Sequence, residues 1–158
     1  MKWYRFLEIC SLGNYKKRVT LETGGLFQFK HTSPVRFQDL DAGGHVHHSV
    51  ALCFFEEARE AYWASVVGSS WNGEAKYVIA ELDVKYHQRI FYPMTLVVGV
   101  RTSEIGRKHL VMEYEGKAEE GDLLISGNTM LVMFDYKREA SIRVPEDVKT
   151  SISNWENL

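Results

Sequence analysis

The segment from Val35 to His48 carries Asp39, Asp41, His45, His47 and His48, with Gly43-Gly44 between the acids and the histidines. A carboxylate beside a helix N-terminus can take a proton from water or attack a carbonyl itself. Unpaired backbone N–H groups at that terminus can hold the oxyanion that forms, helped by the helix dipole. One well-placed donor is worth about 2.7–4 kcal/mol in the transition state. General base catalysis adds about 10²–10⁴-fold. One loop running into one helix can therefore carry most of a hydrolysis at a carbonyl. On spacing alone the two aspartates also read as loop residues bonded to their own backbone. The histidines at i,i+2 and i,i+3 can share a face, but no second cluster lies near them in sequence, so no metal is expected. His45 reads as a packed or hydrogen-bonded loop side chain.

These residues need elements to position them. Val35-Arg36-Phe37-Gln38 alternates after Pro34 and predicts a strand. Asp39 to Gly44 breaks regular structure and predicts a loop. Ser49 to Val67 predicts a helix. At about 100° per residue, Ala61, Phe54, Ser65, Ala58, Ala51, Tyr62, Phe55 and Val66 fall on one arc of about 140° with no charge among them. Glu56, Glu57, Arg59 and Glu60 fall elsewhere. Alanines on the buried arc let a flat partner, a sheet, approach closely. Ser49 is the predicted N-cap and Gly68 the predicted stop.

After residue 76 the period changes to two. Val78, Ala80, Leu82, Val84 and Tyr86 predict one buried strand face. Met94–Thr102, His109–Ala118 and Leu123–Tyr136 predict three more strands, the last long, apolar and central. The short turns between these four strands predict antiparallel neighbours. Lys137–Leu158 is polar and predicts a surface coil. Residues 1–33 read as an N-terminal extension, with a short hairpin around Gly24-Gly25. Residues 34–146 form the main domain and 147–158 a tail. One apolar helix on one antiparallel sheet is an α+β layer architecture, in which the sheet must curl around the helix.

Composition excludes several classes. The chain has 158 residues, 45% hydrophobic and 25% charged, which fits one globular domain. The net charge of −2 and the absence of a basic stripe argue against nucleic acid. No apolar run is long enough to span a membrane. Glu8 stands where a signal peptide would be apolar. Cys10 and Cys53 lack metal-site spacing, and Cys53 reads as a small buried hydrophobe. A reducing, cytoplasmic setting fits this cysteine use.

Asp39-Leu40-Asp41-Ala42-Gly43-Gly44-His45-Val46-His47-His48, entered from Val35-Arg36-Phe37-Gln38, resembles the entry motif of hot-dog-fold acyl-CoA thioesterases. It looks most like the branch typified by 4-hydroxybenzoyl-CoA thioesterase and the YbgC-type enzymes. Glu81–Arg89 resembles the family's first long strand after the helix, and Asp135–Pro145 its closing strand. The resemblance implies a hot-dog fold: a curled antiparallel five-stranded sheet around one long central helix. It implies an acyl-CoA substrate, no cofactor beyond that substrate's own coenzyme A, and a homodimer or homotetramer that joins sheets edge to edge.

The resemblance also implies roles. Asp41 matches the catalytic carboxylate, as nucleophile or general base. Gly44 matches the glycine that lets the thioester approach the backbone. The His48 N–H matches the donor that polarises the carbonyl. Asp39 matches the supporting acid. His47, Val50 and Ala51 depart from the tyrosine, polar residue and tyrosine of the pattern and would shape the acyl pocket. Glu57 matches the helix glutamate that another branch uses, and otherwise reads as an exposed carboxylate pairing on the helix. Arg89, Arg107 and Lys108 are candidates for the coenzyme A phosphates. The alternatives are a thioesterase acting on acyl carrier protein, a non-catalytic acyl-CoA binder of the same fold and, ranked low, a hydratase.

Overall fold

A computed structural model describes residues 26–68 and 77–158. The expected hairpin in the N-terminal extension lies outside them, apart from its last residues. These enter the first strand, β1, Phe29–Pro34. The others are β2 Tyr77–Tyr86, β3 Thr95–Ile105, β4 His109–Ala118, β5 Leu123–Asp135 and the two-residue β6, Ala140–Ser141. All pairings are antiparallel, in the order β1-β3-β4-β5-β2, with β6 on β5. One long helix, α1, runs from Val50 to Tyr62. The fold is the expected α+β arrangement of one helix on a curled antiparallel sheet.

The core lies between α1 and the inner face of the sheet. Ala51, Phe54, Phe55, Ala58 and Tyr62 are buried against Leu96, Val98, Leu110, Met112, Tyr114 and Leu131. Phe55 stacks on Tyr114 with centroids 4.7 Å apart. Gly127 makes room for that ring, because a Cβ there would meet the Asp83 carbonyl at 2.5 Å and Phe55 Cε2 at 3.0 Å. Close approach of helix and sheet thus depends on small residues on both sides.

Several expectations are corrected. The first strand ends at Pro34, and the predicted strand over 35–38 is absent. Val35 adds one rung, donating to the Met94 carbonyl at 2.8 Å. Phe37–Asp39 then forms a 3-10 turn, because the Asp39 carboxylate accepts from the Arg36 N–H at 2.7 Å and folds the chain on itself. Ser49 precedes α1 but does not cap it: its hydroxyl bonds His47 Nδ1 at 2.8 Å. Past Tyr62 the helix widens into a π turn, Trp63–Val67. The wider turn rotates the buried stripe, so Trp63 and Val67 are buried and Ser65, expected inside, is exposed. Arg59, expected outside, is buried, with Nε donating to the Tyr77 hydroxyl at 3.1 Å. Cys53, expected inside, is exposed.

β2 departs most. A register shift between Ile79 and Glu81 reverses the alternation, so Tyr77 and Ile79 share a face with Leu82 and Val84. That face is only partly covered: Ile79 and Leu82 are 46% and 45% exposed. β2 is an edge strand beside β5, not a neighbour of β3. β5 is interior, and the central strand is β4. The 87–94 connection, expected to join neighbours, therefore crosses the end of the sheet from one edge toward the other. Finally, the expected surface coil holds a second helix, α2, Glu146–Glu156. Val148 and Ile152 bury a narrow i,i+4 stripe that the polar composition conceals.

Candidate active site

The 35–48 loop and the 87–94 crossover meet at the N-terminus of α1. The Val46 N–H donates to the Ile90 carbonyl at 2.8 Å and the His47 N–H to the Asp39 carbonyl at 2.9 Å. The His87 and Gln88 N–H groups both donate to the Leu124 carbonyl, which ties the start of the crossover to β5. Between loop and crossover lies a cleft of about 320 Å³. Asp41, His45, Val46, His48 and Ala51 line one wall, and Tyr86 to Ile90 line the other.

Asp41 is held by a tight turn. Its Oδ1 accepts from the Gly43 N–H at 2.7 Å, its N–H donates to the His45 carbonyl, and its carbonyl accepts from the Gly44 N–H. Gly44 sits at φ 74°, a conformation that L side chains rarely adopt. Among the described residues no hydrogen bond ends on Asp41 Oδ2. His45 Nδ1 lies 3.6 Å from Asp41 Oδ1, buried and without a hydrogen-bond partner.

The start of α1 supplies the second group. Among the described residues the His48 N–H has no acceptor, while the following N–H groups turn back to His47 and Ser49. The His48 carbonyl accepts from the Tyr86 hydroxyl at 2.8 Å. Burial and, after it, the nearby Lys85 charge lower the pKa of His87, whose Nε2 pairs with the Ser126 hydroxyl at 2.8 Å. The arrangement joins a carboxylate with one unspent oxygen to an unspent N–H at a helix start. That pair suits attack on a carbonyl and capture of the oxyanion.

The remaining candidates separate. Ala51 is buried and forms part of the cleft wall. Asp39 is buried beneath the loop, bonded to Arg36. The His47 ring lies against His48 at 4.2 Å, outside the lining, and Val50 packs against the core. Glu57 is not brought to the cleft: its Oε2 accepts from the Ser33 hydroxyl on β1 at 2.8 Å, a different partner from the helix neighbours expected. Arg89 lines the cleft. Arg107 and Lys108 do not; they lie in the β3–β4 turn, where Lys108 Nζ donates to the Ser141 carbonyl and hydroxyl. Sequence reasoning missed Tyr86, His87, Gln88 and Ile90. Their signal, a polar and aromatic connection after a long strand, points to the cleft only once the crossover is known. Among the described residues no group of three or more His, Cys, Asp or Glu side chains is arranged to hold a metal ion, and no helix is long and apolar enough to cross a membrane.

Known proteins share this architecture. Residues 35–152 match the model of the thioesterase-like superfamily. A thioesterase from Thermus thermophilus, solved in complex with coenzyme A and zinc, is 31% identical with a TM-score of 0.77, over 85% of this chain and 98% of that one. A DHNA-CoA thioesterase from Staphylococcus aureus shares the fold at 24% identity and a TM-score of 0.72, over 82% of this chain and 91% of that one. The uncharacterised protein YsmA of Bacillus subtilis strain 168 is 25% identical over 126 residues, which are 80% of this chain and 86% of that protein.

Proposed function

The chain belongs to the thioesterase-like superfamily, and from that premise we propose that it hydrolyses an acyl-CoA thioester to the free acid and coenzyme A, as the 4-hydroxybenzoyl-CoA and YbgC-type branch does. The observation that carries this reading is the Asp41 carboxylate, fixed through Oδ1 by the Gly43 N–H, in a cleft also lined by His48, whose N–H has no acceptor among the described residues. The thioester carbonyl lies against the helix start, its oxygen toward the His48 N–H. Asp41 takes a proton from water as the water oxygen bonds to the carbonyl carbon. The oxyanion collapses, the C–S bond breaks, and the thiolate takes the proton from Asp41. In a second route through the same geometry, Asp41 attacks the carbon directly, the C–S bond breaks to give a mixed anhydride and the thiolate, and water hydrolyses the anhydride, giving up a proton that the thiolate takes. Incorporation of ¹⁸O into Asp41 during a single turnover in labelled water marks the second route with water attacking the aspartyl carbonyl; with the label in the product acid alone, trapping of an acyl-Asp41 anhydride by hydroxylamine marks the second route and its absence the first.

The proposed assembly is a homodimer that pairs β2 with β2 of a second copy. It would extend the sheet across its edge and cover the Ile79 and Leu82 side chains. A tetramer would be a pair of such dimers.

The test is release of free coenzyme A from aromatic, short-chain and long-chain acyl-CoA thioesters by the full chain and by Asp41→Asn. The expected result is turnover of at least one class, with kcat reduced about 10²–10⁴-fold in the variant. Unchanged turnover in Asp41→Asn removes Asp41 from the chemistry. Binding of acyl-CoA without turnover makes the protein a binder, and turnover confined to acyl carrier protein thioesters moves the activity to that carrier.

A further inference from the structure

The turn that leads into α1 has four backbone N–H groups to place, those of His48, Ser49, Val50 and Ala51. His47 accepts three of them. Its carbonyl accepts from Val50 at 2.9 Å and from Ala51 at 3.3 Å. Its ring Nδ1 accepts from the Ser49 N–H at 3.3 Å and pairs with the Ser49 hydroxyl at 2.8 Å. The fourth, the His48 N–H, has no acceptor among the described residues. His47 is itself held, its N–H donating to the Asp39 carbonyl at 2.9 Å. The Nδ1 bond closes a loop of atoms around the peptide that carries the His48 N–H. It therefore fixes the direction in which the proposed oxyanion donor points.

Helix starts are usually capped by Ser, Thr, Asp or Asn. A histidine in this place differs, because imidazole changes charge between about pH 5 and 8. Only the neutral ring has a lone pair for the Ser49 N–H; the protonated ring donates from both nitrogens. A proton on Nδ1 would point at that N–H and leave it without an acceptor. It would also put a positive charge at the positive end of the helix dipole. An aspartate cap would set a negative charge beside the oxygen that turns negative in the reaction; neutral imidazole does not. Among the described residues no carboxylate pairs with the His47 ring; the histidine–carboxylate pairs are His45 with Asp41 and His109 with Glu104. On the loop the neighbouring groups are Asp41, His45 and the Asp39 carboxylate, which is turned to Arg36. On the helix side they are the His48 ring, 4.2 Å away, and Cys53, whose thiol reaches the Ser49 carbonyl. Across the cleft they are Tyr86, His87 and Arg89.

We propose that His47 is a positioning residue: its neutral imidazole caps the start of α1 and aims the His48 N–H, and protonation of the ring releases that N–H. The inference rests on the thioesterase reading of the cleft. His47 lies outside the cleft lining, so it acts through the backbone of His48 and not on the substrate. The cap makes turnover depend on a second proton besides the one that Asp41 handles. In acid the protonated ring donates to the Ser49 hydroxyl alone, and the turn loses the bond that orders it.

The test measures kcat and KM of the wild type, His47→Ala and His47→Asn on the preferred acyl-CoA from about pH 5 to about pH 8. At the upper end His47→Ala is expected to lower kcat about fivefold, the size of one ordinary hydrogen bond, with KM within about twofold. His47→Asn is expected to recover kcat there, because its amide oxygen accepts from the Ser49 N–H and does not titrate. Toward acid the wild type is expected to lose about fivefold relative to His47→Asn. The titrations of Asp41, His45, His48 and His87 are common to both proteins and cancel in that ratio. A ratio that stays flat or rises toward acid overturns the cap, as does a His47→Asn no better than His47→Ala. A raised KM with kcat unchanged also overturns it, placing His47 at the substrate. Nitrogen-15 NMR of the full chain reads the cap without turnover. The expected result is an Nδ1 without a proton at about pH 8, and a His48 amide signal that moves as the His47 ring titrates; a proton on Nδ1 at that pH overturns the proposal. If the wild type hydrolyses no thioester while the His48 amide follows the His47 ring, the cap stands and the hydrolase reading falls. If it hydrolyses acyl-CoA through Asp41 and the ratio to His47→Asn is flat, the cap falls alone.

Discussion

The Tyr86 hydroxyl donates to the His48 carbonyl at 2.8 Å, across 38 residues of chain. This bond ties the end of the edge strand to the first turn of the helix, where the proposed oxyanion donor lies. Tyr86→Phe removes the tie and leaves the ring in place. The expected result is a fall in kcat of about fivefold, equivalent to one ordinary hydrogen bond of about 1 kcal/mol, with the melting temperature nearly unchanged. Steady-state kinetics on the preferred thioester checks it; an unchanged kcat removes Tyr86 from positioning.

Gly44 separates backbone strain from close approach. At φ 74° a side chain is strained, yet a Cβ there would meet no atom of the described residues within 4 Å. Gly44→Ala is expected to cost about 1–2 kcal/mol of stability and to slow turnover. Gly44→Asn is expected to recover part of the stability, because asparagine tolerates this region better. Its activity is expected to stay low if the thioester must pass close to the backbone. Denaturant midpoints and kcat, measured together, distinguish the two effects.

The exposed face of β2 predicts self-association. Leu82 is paired with Thr129 and Ile79 with Leu131, so both are on the helix-facing side of the sheet, but α1 does not reach them. A charge at Leu82 would have to be buried in the proposed dimer. Leu82→Lys is expected to shift the protein to monomer in sedimentation velocity and to lower activity with it. A wild-type protein that sediments as a monomer at micromolar concentration rules out the edge pairing.

Alkaline conditions are expected to destabilise the fold. Burial pushes the hydroxyls of Tyr62, Tyr77 and Tyr114 above the ordinary tyrosine value of 10.0. The unfolded chain loses these protons first, so their contribution is complete below about pH 10 and is lost as pH rises above it. Urea midpoints at increasing pH, with absorbance at 295 nm to follow tyrosinate, should show the decline. Tyr62 also donates to Glu156 of α2 at 2.6 Å, and the same Glu156 oxygen accepts from the Thr102 N–H at 3.0 Å. Tyr62→Phe is expected to cost about 1–3 kcal/mol, because it removes a partner from a partly buried carboxylate.

Much of this was legible in the residues. The strand at 109–118 follows from its spacing and the one at 123–135 from its long apolar run; Leu110, Met112 and Tyr114 are all buried as predicted, and Val111, Glu113 and Glu115 on the other face are buried as well. The helix follows from its apolar arc, although Arg59 is also buried and, at the π turn, Trp63 and Val67 replace Ser65. Asp41 and Gly44 were legible because turn chemistry is local: a carboxylate bonding the N–H two residues on, and a glycine at positive φ, depend on a few adjacent residues. α2 was missed because its buried stripe is only Val148 and Ile152, diluted in a polar segment.

By itself the sequence determined which long segments are helix and which are strand, and the turn chemistry of the loop, since both depend on residue types at short spacing. Only the tertiary structure decided which strands are neighbours. β2 goes to the far edge because it pairs with β5, and pairing partners are chosen by long-range packing rather than local pattern. That choice stretches residues 87–94 across the end of the sheet, where they face the Asp41 loop and form the second wall of the cleft. It brings Arg89 to the site while Arg107 and Lys108 remain in the β3–β4 turn; Glu57, where the helix packs against β1, meets Ser33 instead of the cleft. Residue type marked each of these side chains as able to bind or react; the crossover fixed which of them share a cavity.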